Sequence, residues 1–257
     1  MRADDAGLAR SVNLAIVEAL GHKLLRNVSI MAVGPEVEHA ASIFSGTENA
    51  ALGLHLTLNC EWDHPRWGPC APACSVPSLV NGNGHFLSTT TALHERNAPM
   101  EEVVREAEAQ LRRLRGLGLK LSYIDDHMGV TWIPGIKEAI YALACREGLI
   151  FVPADFNPLP ACKGLEASKG LAARLIKRLE AVPSGVYTNI FHPAFEDPEM
   201  VALTLPGRNA GEIARERDAD RRLLCDADFA DFLNRSGMES VCYDDLFVVG
   251  DRLENPS

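Results

Sequence analysis

The sequence contains no run approaching the roughly 18 consecutive apolar residues that a membrane-crossing helix needs. Its first residues lack the basic, then apolar, then small-residue order of a secretory leader, so the expected location is the cytoplasm. There is no CxxC pair among the seven cysteines, and an odd count in a chain of 257 residues reads as reduced thiols in a cytosol. Positive charge is in deficit: the formal net charge is -10, which argues against nucleic acid or an anionic membrane as a partner. No internal repeat and no low-complexity linker divides the chain, so one domain over 1–257 is expected.

What is present fits an ordinary globular enzyme. The apolar fraction is 47% and the charged fraction 23%, both near globular averages. Helical spacing marks Ser11–Leu20, Glu36–Phe44, Pro99–Leu117, Ile136–Glu147, Leu171–Leu179 and most of 211–234. Short apolar runs with β-branched residues mark strands at Val28–Val33, Ala51–Leu58, Leu121–Ile124, Leu149–Val152, Val186–Phe191 and 240–249. Strands alternating with helices predict an α/β fold with a mainly parallel sheet, open or closed into a barrel. Residues 59–98 read as a long, irregular, proline-rich insertion, and a loop of that length in a compact domain is usually functional.

Polar residues of one chemical kind stand at the ends of several of these strands. They are Asp4-Asp5, His55, Asp125-Asp126-His127 and His192. In parallel α/β barrels the C-terminal ends of the strands carry the active site. An aspartate and two histidines drawn from three strand ends make a three-donor metal site with open positions for water and substrate. Each residue also has a plain structural use. Asp4-Asp5 would cap the following helix, His55 would be a satisfied interior histidine, and Asp125, Asp126 and His192 would simply end strands. The joint pattern is what favours a site.

Two features of the 59–98 segment add to this. Cys60, Cys70 and Cys74 cluster there, which leaves a second, structural metal as an alternative to free thiols. Trp62, His64, Trp67 and Phe86 would either form one wall of the cleft, as exposed aromatics that stack on a ligand, or pack beneath the loop and hold it to the domain.

The chain resembles the YdjC-like carbohydrate deacetylases, a group that includes chitooligosaccharide deacetylases. The matching segments are Ala3-Asp4-Asp5-Ala6-Gly7 with Val12-Asn13-Ala15-Ile16, Asn27-Val28-Ser29-Ile30-Met31 with Gly34-Pro35, Gly53-Leu54-His55-Leu56-Thr57-Leu58, Ile124-Asp125-Asp126-His127, His192-Pro193, and Arg217-x-x-Asp220. They span nearly the whole chain in the family's order. The resemblance implies an irregular (βα) TIM-like barrel, with Asp5, His55 and His127 as metal ligands, Asp4 as general base and His192 as the acid. It implies a hydrolase that removes an N-acetyl group from an acetylated sugar or oligosaccharide. Its cofactor would be one divalent ion, Mg²⁺ by family association, with Zn²⁺ or another transition metal also suited to two imidazoles and a carboxylate. A homodimer is compatible with the sequence.

The chain departs from the family pattern in places. Arg2 and Ala6 stand where the family usually has Asn and Phe, and only three residues precede Asp4. Gly129 occupies a position where many members carry a histidine, which should widen the cleft. Two other classes fit the strand-end residues. One is a different metal-dependent barrel hydrolase, such as a phosphoesterase or cyclic amidase, with Asp125 and Asp126 helping to hold a second metal. The other is a non-catalytic binding protein that kept the barrel.

Overall fold

The computed structural model describes residues 1–160 and 170–246. Among the described residues eight strands occur in this order: β1 (Arg2–Ala6), β2 (Asn27–Ile30), β3 (Ala51–Leu56), β4 (Tyr123–Asp126), β5 (Ile150–Phe151), β6 (Asn157–Pro158), β7 (Tyr187–Thr188) and β8 (Ile190–Phe191). Six of them form one parallel sheet in the order β5-β4-β3-β2-β1-β8, and β6 pairs with β7 in a small parallel sheet. Among the described residues no ladder joins the two edges, β5 and β8.

β1, β2 and β3 are buried along their whole length, because helices cover the outer face and side chains fill the inner one. Parallel sheets need that double cover. The helices of this part of the chain are α1 (Arg10–Gly21), α2 (Val37–Phe44), α3 (Thr90–Arg96), α4 (Met100–Gly116) and α5 (Ile136–Glu147), of which α1, α4 and α5 pack directly on strands. Further along come α6 (Val152–Asp155), α7 (Leu171–Glu180), α8 (Pro198–Ala202), α9 (Glu212–Leu224), α10 (Ala227–Arg235) and α11 (Tyr243–Leu246). The expected helical stripes face inward: Val12, Ala15, Ile16 and Ala19 on α1, and Val103, Ala107, Leu111 and Leu114 on α4, are all buried.

Three expectations need correction. The segment 59–98 is not wholly irregular: it ends in α3, whose N-terminus is capped by Thr89 accepting from the Ala92 amide. The expected single strand Val186–Phe191 is two short strands, split at Asn189, whose carbonyl accepts from the Arg2 amide. The expected final strand over 240–249 is instead α11 in its middle, and its last three residues lie outside the described residues.

α4 carries a buried polar pair on its inner face that periodicity did not reveal. Glu106 accepts from the amides of Cys70 and Ala71, at 2.9 and 2.8 Å. Gln110 accepts from the Thr57 amide and donates to the Thr57 carbonyl. The segment after β3 is thus fastened to the domain by side chains that replace a ladder for its backbone. Among the described residues no helix is long and apolar enough to cross a membrane.

Candidate active site

Adjacent residues on a regular strand point to opposite faces, so Asp4 and Asp5 should not both reach one cleft. β1 solves this with a bulge. Ala3 pairs with Val28 and Ala6 with Ile30, so Asp4 and Asp5 together oppose Ser29 alone. Asp5 takes a left-handed conformation, φ 66°. A bulge of this kind re-aims side chains beside active sites, and here both aspartates line the same cleft of about 660 Å³.

The neighbouring strands supply the rest by register. His55 on β3 lies directly beside Asp125 on β4, and Gly53 beside Tyr123. Gly53 is required there, since a Cβ would fall 2.2 Å from the Tyr123 ring. β4 then runs into a tight turn, His127–Trp132, in which Met128 and Gly129 are both left-handed. That turn brings His127 back over the strand end. Gly129 is exposed on the cleft wall with open space around its Cβ position, and its φ of 65° suits glycine.

Asp5, His55 and His127 converge. His55 Nε2 is 3.2 Å from His127 Nδ1, and Asp5 Oδ1 is 3.4 Å and 3.3 Å from those two atoms. An ion about 2.0–2.1 Å from each of three such donors would space them by roughly 3.0–3.4 Å. The hydrogen bonds around them point the same way. His55 Nδ1 donates to Asp125 Oδ1 at 2.8 Å, which leaves Nε2 as a lone pair in the neutral ring. His127 Nε2 donates to Glu61, 3.0 Å and 3.1 Å from its two oxygens, which leaves Nδ1 as the lone pair. Asp5 Oδ1 is buried and has no hydrogen-bond partner among the described residues. Three buried lone pairs with no protein hydrogen to share are what a cation would satisfy, so these residues fit a metal ion.

The charges agree. Burial opposes a charge on His127, but Glu61 and Asp5 outweigh it and raise its pKa to about 9. His55 is raised as well, against burial, chiefly by Asp125 and Asp4. Two imidazoliums facing each other across 3.2 Å would repel, whereas one divalent ion would supply the same positive charge while both rings stay neutral.

Asp4 stands beside this cluster. Burial would raise its carboxyl, but Arg2 overrides it with two hydrogen bonds, 2.6 and 2.8 Å, and holds the pKa at about 2. Arg2, with smaller contributions from His55 and His192, therefore favours the ionised form of Asp4. The same guanidinium is 2.8 Å from Asp125 Oδ2, which also accepts from Ser29. Asp5 Oδ2 accepts from Arg217 on α9 at 2.6 Å, and burial of Asp5 is likewise outweighed by that cation, leaving its pKa well below the carboxylate range.

His192, at the end of β8, lines the same cleft, and its amide donates to Asp220 at 2.8 Å. Burial lowers its pKa despite the nearby Asp5 charge. Asp126 does not join the cluster. It caps the turn after β4, accepting from the Thr131 amide and hydroxyl.

The aromatic wall expected of the 59–98 segment is mostly interior. Phe86 is fully buried and Trp67 is 4% exposed, with its indole N–H donated to the Asn59 carbonyl. Trp62, also buried, borders the cleft with Arg217 over its ring. Cys60, Cys70 and Cys74 are free thiols and form no metal-ligand group among the described residues. Sequence reasoning missed Glu61 and the structural part of Arg2. The signals were an acid six residues past His55 and a charged residue two before Asp4 on the same strand.

Comparison with known proteins gives a consistent picture. A carbohydrate deacetylase of Geobacillus stearothermophilus is 27% identical over 255 residues, covering 96% of this chain and 97% of that protein. A carbohydrate deacetylase of Thermus thermophilus is 31% identical over 250 residues, covering 87% and 88%. A crystal structure from Enterococcus faecalis V583, provisionally named a cellobiose-phosphate cleavage protein, superposes with a TM-score of 0.76 at 20% identity over 96% of this chain and 97% of that one, and so shares the fold. The family model described as YdjC-like protein matches residues 1–235, and the chain belongs to that family.

Proposed function

We propose that the chain is a metal-dependent hydrolase that removes the N-acetyl group of an acetylated sugar or oligosaccharide. The observation that carries this reading is the convergence of Asp5 Oδ1, His55 Nε2 and His127 Nδ1 within 3.4 Å of one another, on residues that line one cleft. The relatives named carbohydrate deacetylase support the substrate class.

Asp5, His55 and His127 would hold one divalent ion. Such an ion polarises a carbonyl oxygen and makes water acidic enough to attack it near neutral pH. Asp4, ionised and locked by Arg2, is the carboxylate beside the ligands that accepts the proton of the attacking water. His192 starts neutral, because burial lowers its pKa. His192 must therefore gain a proton before it can pass one to the departing nitrogen, and the attacking water releases one in the same reaction. Val152, Pro153, Phe156, Ile190, Leu205 and Ile213 also line the cleft, and such apolar side chains suit the acetyl methyl and the face of a sugar ring.

Family association favours Mg²⁺, and the two imidazoles equally suit Zn²⁺. A second metal at Asp4, His55 and Asp125 is disfavoured, since Arg2 already sits between the two carboxylates. A TIM-like barrel is part of this reading: β7 passes into β8 through Asn189 alone, which supports the small sheet as a continuation of the large one. One hydrophobic cluster that runs from Ala3 to Leu233 supports a single domain.

The test is a screen of N-acetylated mono-, di- and oligosaccharides with added Mg²⁺ or Zn²⁺, reading released acetate. Metal-dependent acetate release that disappears in Asp4→Asn is the expected result. No release from any N-acetylated sugar with metal demonstrably bound would overturn the substrate class.

A further inference from the structure

We infer that Glu61 is a positioning residue that decides which nitrogen His127 presents to the metal site. The inference rests on the metal-binding reading above and adds to it a residue outside the ligand set.

A histidine can bind a metal through either ring nitrogen, and the hydrogen bond made by the other nitrogen sets the choice. The two histidines of this site are set in opposite ways. Asp125 takes the Nδ1 hydrogen of His55 and turns Nε2 inward. Glu61 takes the Nε2 hydrogen of His127 and turns Nδ1 inward. Only this opposite pairing brings the two lone pairs to 3.2 Å from each other and within 3.4 Å of Asp5 Oδ1.

Glu61 is itself held in place. Asn59 donates to its Oε2 at 3.0 Å. The Asn59 carbonyl accepts from the Trp67 indole at 2.8 Å. The Trp67 ring then stands edge-on to His127, with centroids 6.3 Å apart. One stretch of nine residues, 59–67, thus grips the outer side of His127 by a carboxylate and a ring. The long segment after β3 gains a role in assembling the metal site, in place of a sugar platform. Carboxylates hydrogen-bonded to a ligand histidine raise its basicity and fix its ring, and their loss typically costs about 10–100-fold in metal affinity.

The experiment uses the full chain and three proteins: wild type, Glu61→Gln and Glu61→Ala. Zn²⁺ is titrated by calorimetry, and the ring nitrogens of the Zn²⁺-loaded protein are read by ¹⁵N NMR. Wild type should bind one Zn²⁺ with His127 coordinated through Nδ1 and protonated at Nε2. Glu61→Ala should bind about 10–100-fold more weakly. Glu61→Gln keeps an acceptor oxygen for Nε2–H and should recover affinity to within about threefold of wild type. Equal affinity in wild type and Glu61→Ala overturns the inference while leaving the metal reading intact. So does coordination of wild-type His127 through Nε2, a result that stands even if Glu61→Ala does not fold. Absence of Zn²⁺ binding by wild type would instead overturn the metal reading, and this inference with it.

Discussion

Arg2 holds Asp4 through two hydrogen bonds, 2.6 and 2.8 Å long, with one residue of β1 between them. The same guanidinium lies 2.8 Å from Asp125, which in turn fixes His55. A single buried cation therefore balances two buried carboxylates and ties the proposed base to a ligand's partner. Removing one member of such a cluster leaves an uncompensated buried charge, at a cost of about 3–5 kcal/mol. Arg2→Asn leaves Asp4 and Asp125 facing each other without the guanidinium. We expect urea unfolding of the metal-free variant to show a loss of about that size. A variant within about 1 kcal/mol of wild type would mean that water replaces the guanidinium without penalty.

The two adjacent aspartates should separate cleanly. Asp5 offers the unpaired oxygen beside both histidines, whereas Asp4 has both oxygens on Arg2. Asp4→Asn should keep the metal and lose activity on the order of 10²-fold or more, the scale of a general base. Asp5→Asn and His127→Ala should lose the metal itself, read by elemental analysis after gel filtration. Metal loss in Asp4→Asn with retention in Asp5→Asn would reverse the two assignments.

Much of this site was legible in the sequence because strand ends are marked by where apolar runs stop. His127 follows such a run, His55 lies near the end of one, and register then sets His55 beside Asp125. What was not legible depends on backbone exceptions and distant partners. Nothing in Asp4-Asp5 announces the bulge that turns both residues to one cleft, because it depends on pairing with Ser29 on another strand. Glu61 looked like one more loop acid, since the path of a 40-residue segment is not fixed by periodicity. Arg2 looked like a departure from a family pattern, and its role appears only when Asp125 arrives from β4. The final strand failed for a local reason. Apolar residues over 240–249 suggested a strand, but Asp244 and Asp245 sit in the first turn of α11 instead.

Glu106 should anchor the segment after β3 in a pH-dependent way. It is fully buried and accepts two backbone hydrogen bonds and one from Gln110. Burial raises its pKa above the usual glutamate value, even though those hydrogen bonds pull the other way. A carboxyl raised on folding contributes its full share below the unfolded value and loses part of it as pH rises through the folded value. Glu106→Ala strands two buried amides, a cost of about 1–3 kcal/mol each before relaxation. Urea unfolding at acidic and neutral pH should therefore show a destabilised variant, with a gap to wild type that narrows as pH rises. A gap that widens with pH would mean that the ionised carboxylate is the favoured form.

Trp67 offers the clearest contrast between a binding platform and a buried support. An exposed tryptophan in a cleft would stack on sugar, and its loss would raise KM with little change in kcat. This one is 4% exposed, does not line the cleft, and sits with its indole N–H on the Asn59 carbonyl and its ring edge toward His127. Trp67→Ala should therefore lose about 3–5 kcal/mol of stability, the usual cost of emptying a buried aromatic site. Metal affinity should fall with it, because Asn59 and Glu61 lose the packing that holds them against His127. KM for an N-acetylated sugar, measured at saturating metal, should stay close to wild type. A stable, metal-replete variant whose only defect is a raised KM would place Trp67 at the sugar after all, and the segment after β3 would then be a substrate wall as well as a clamp.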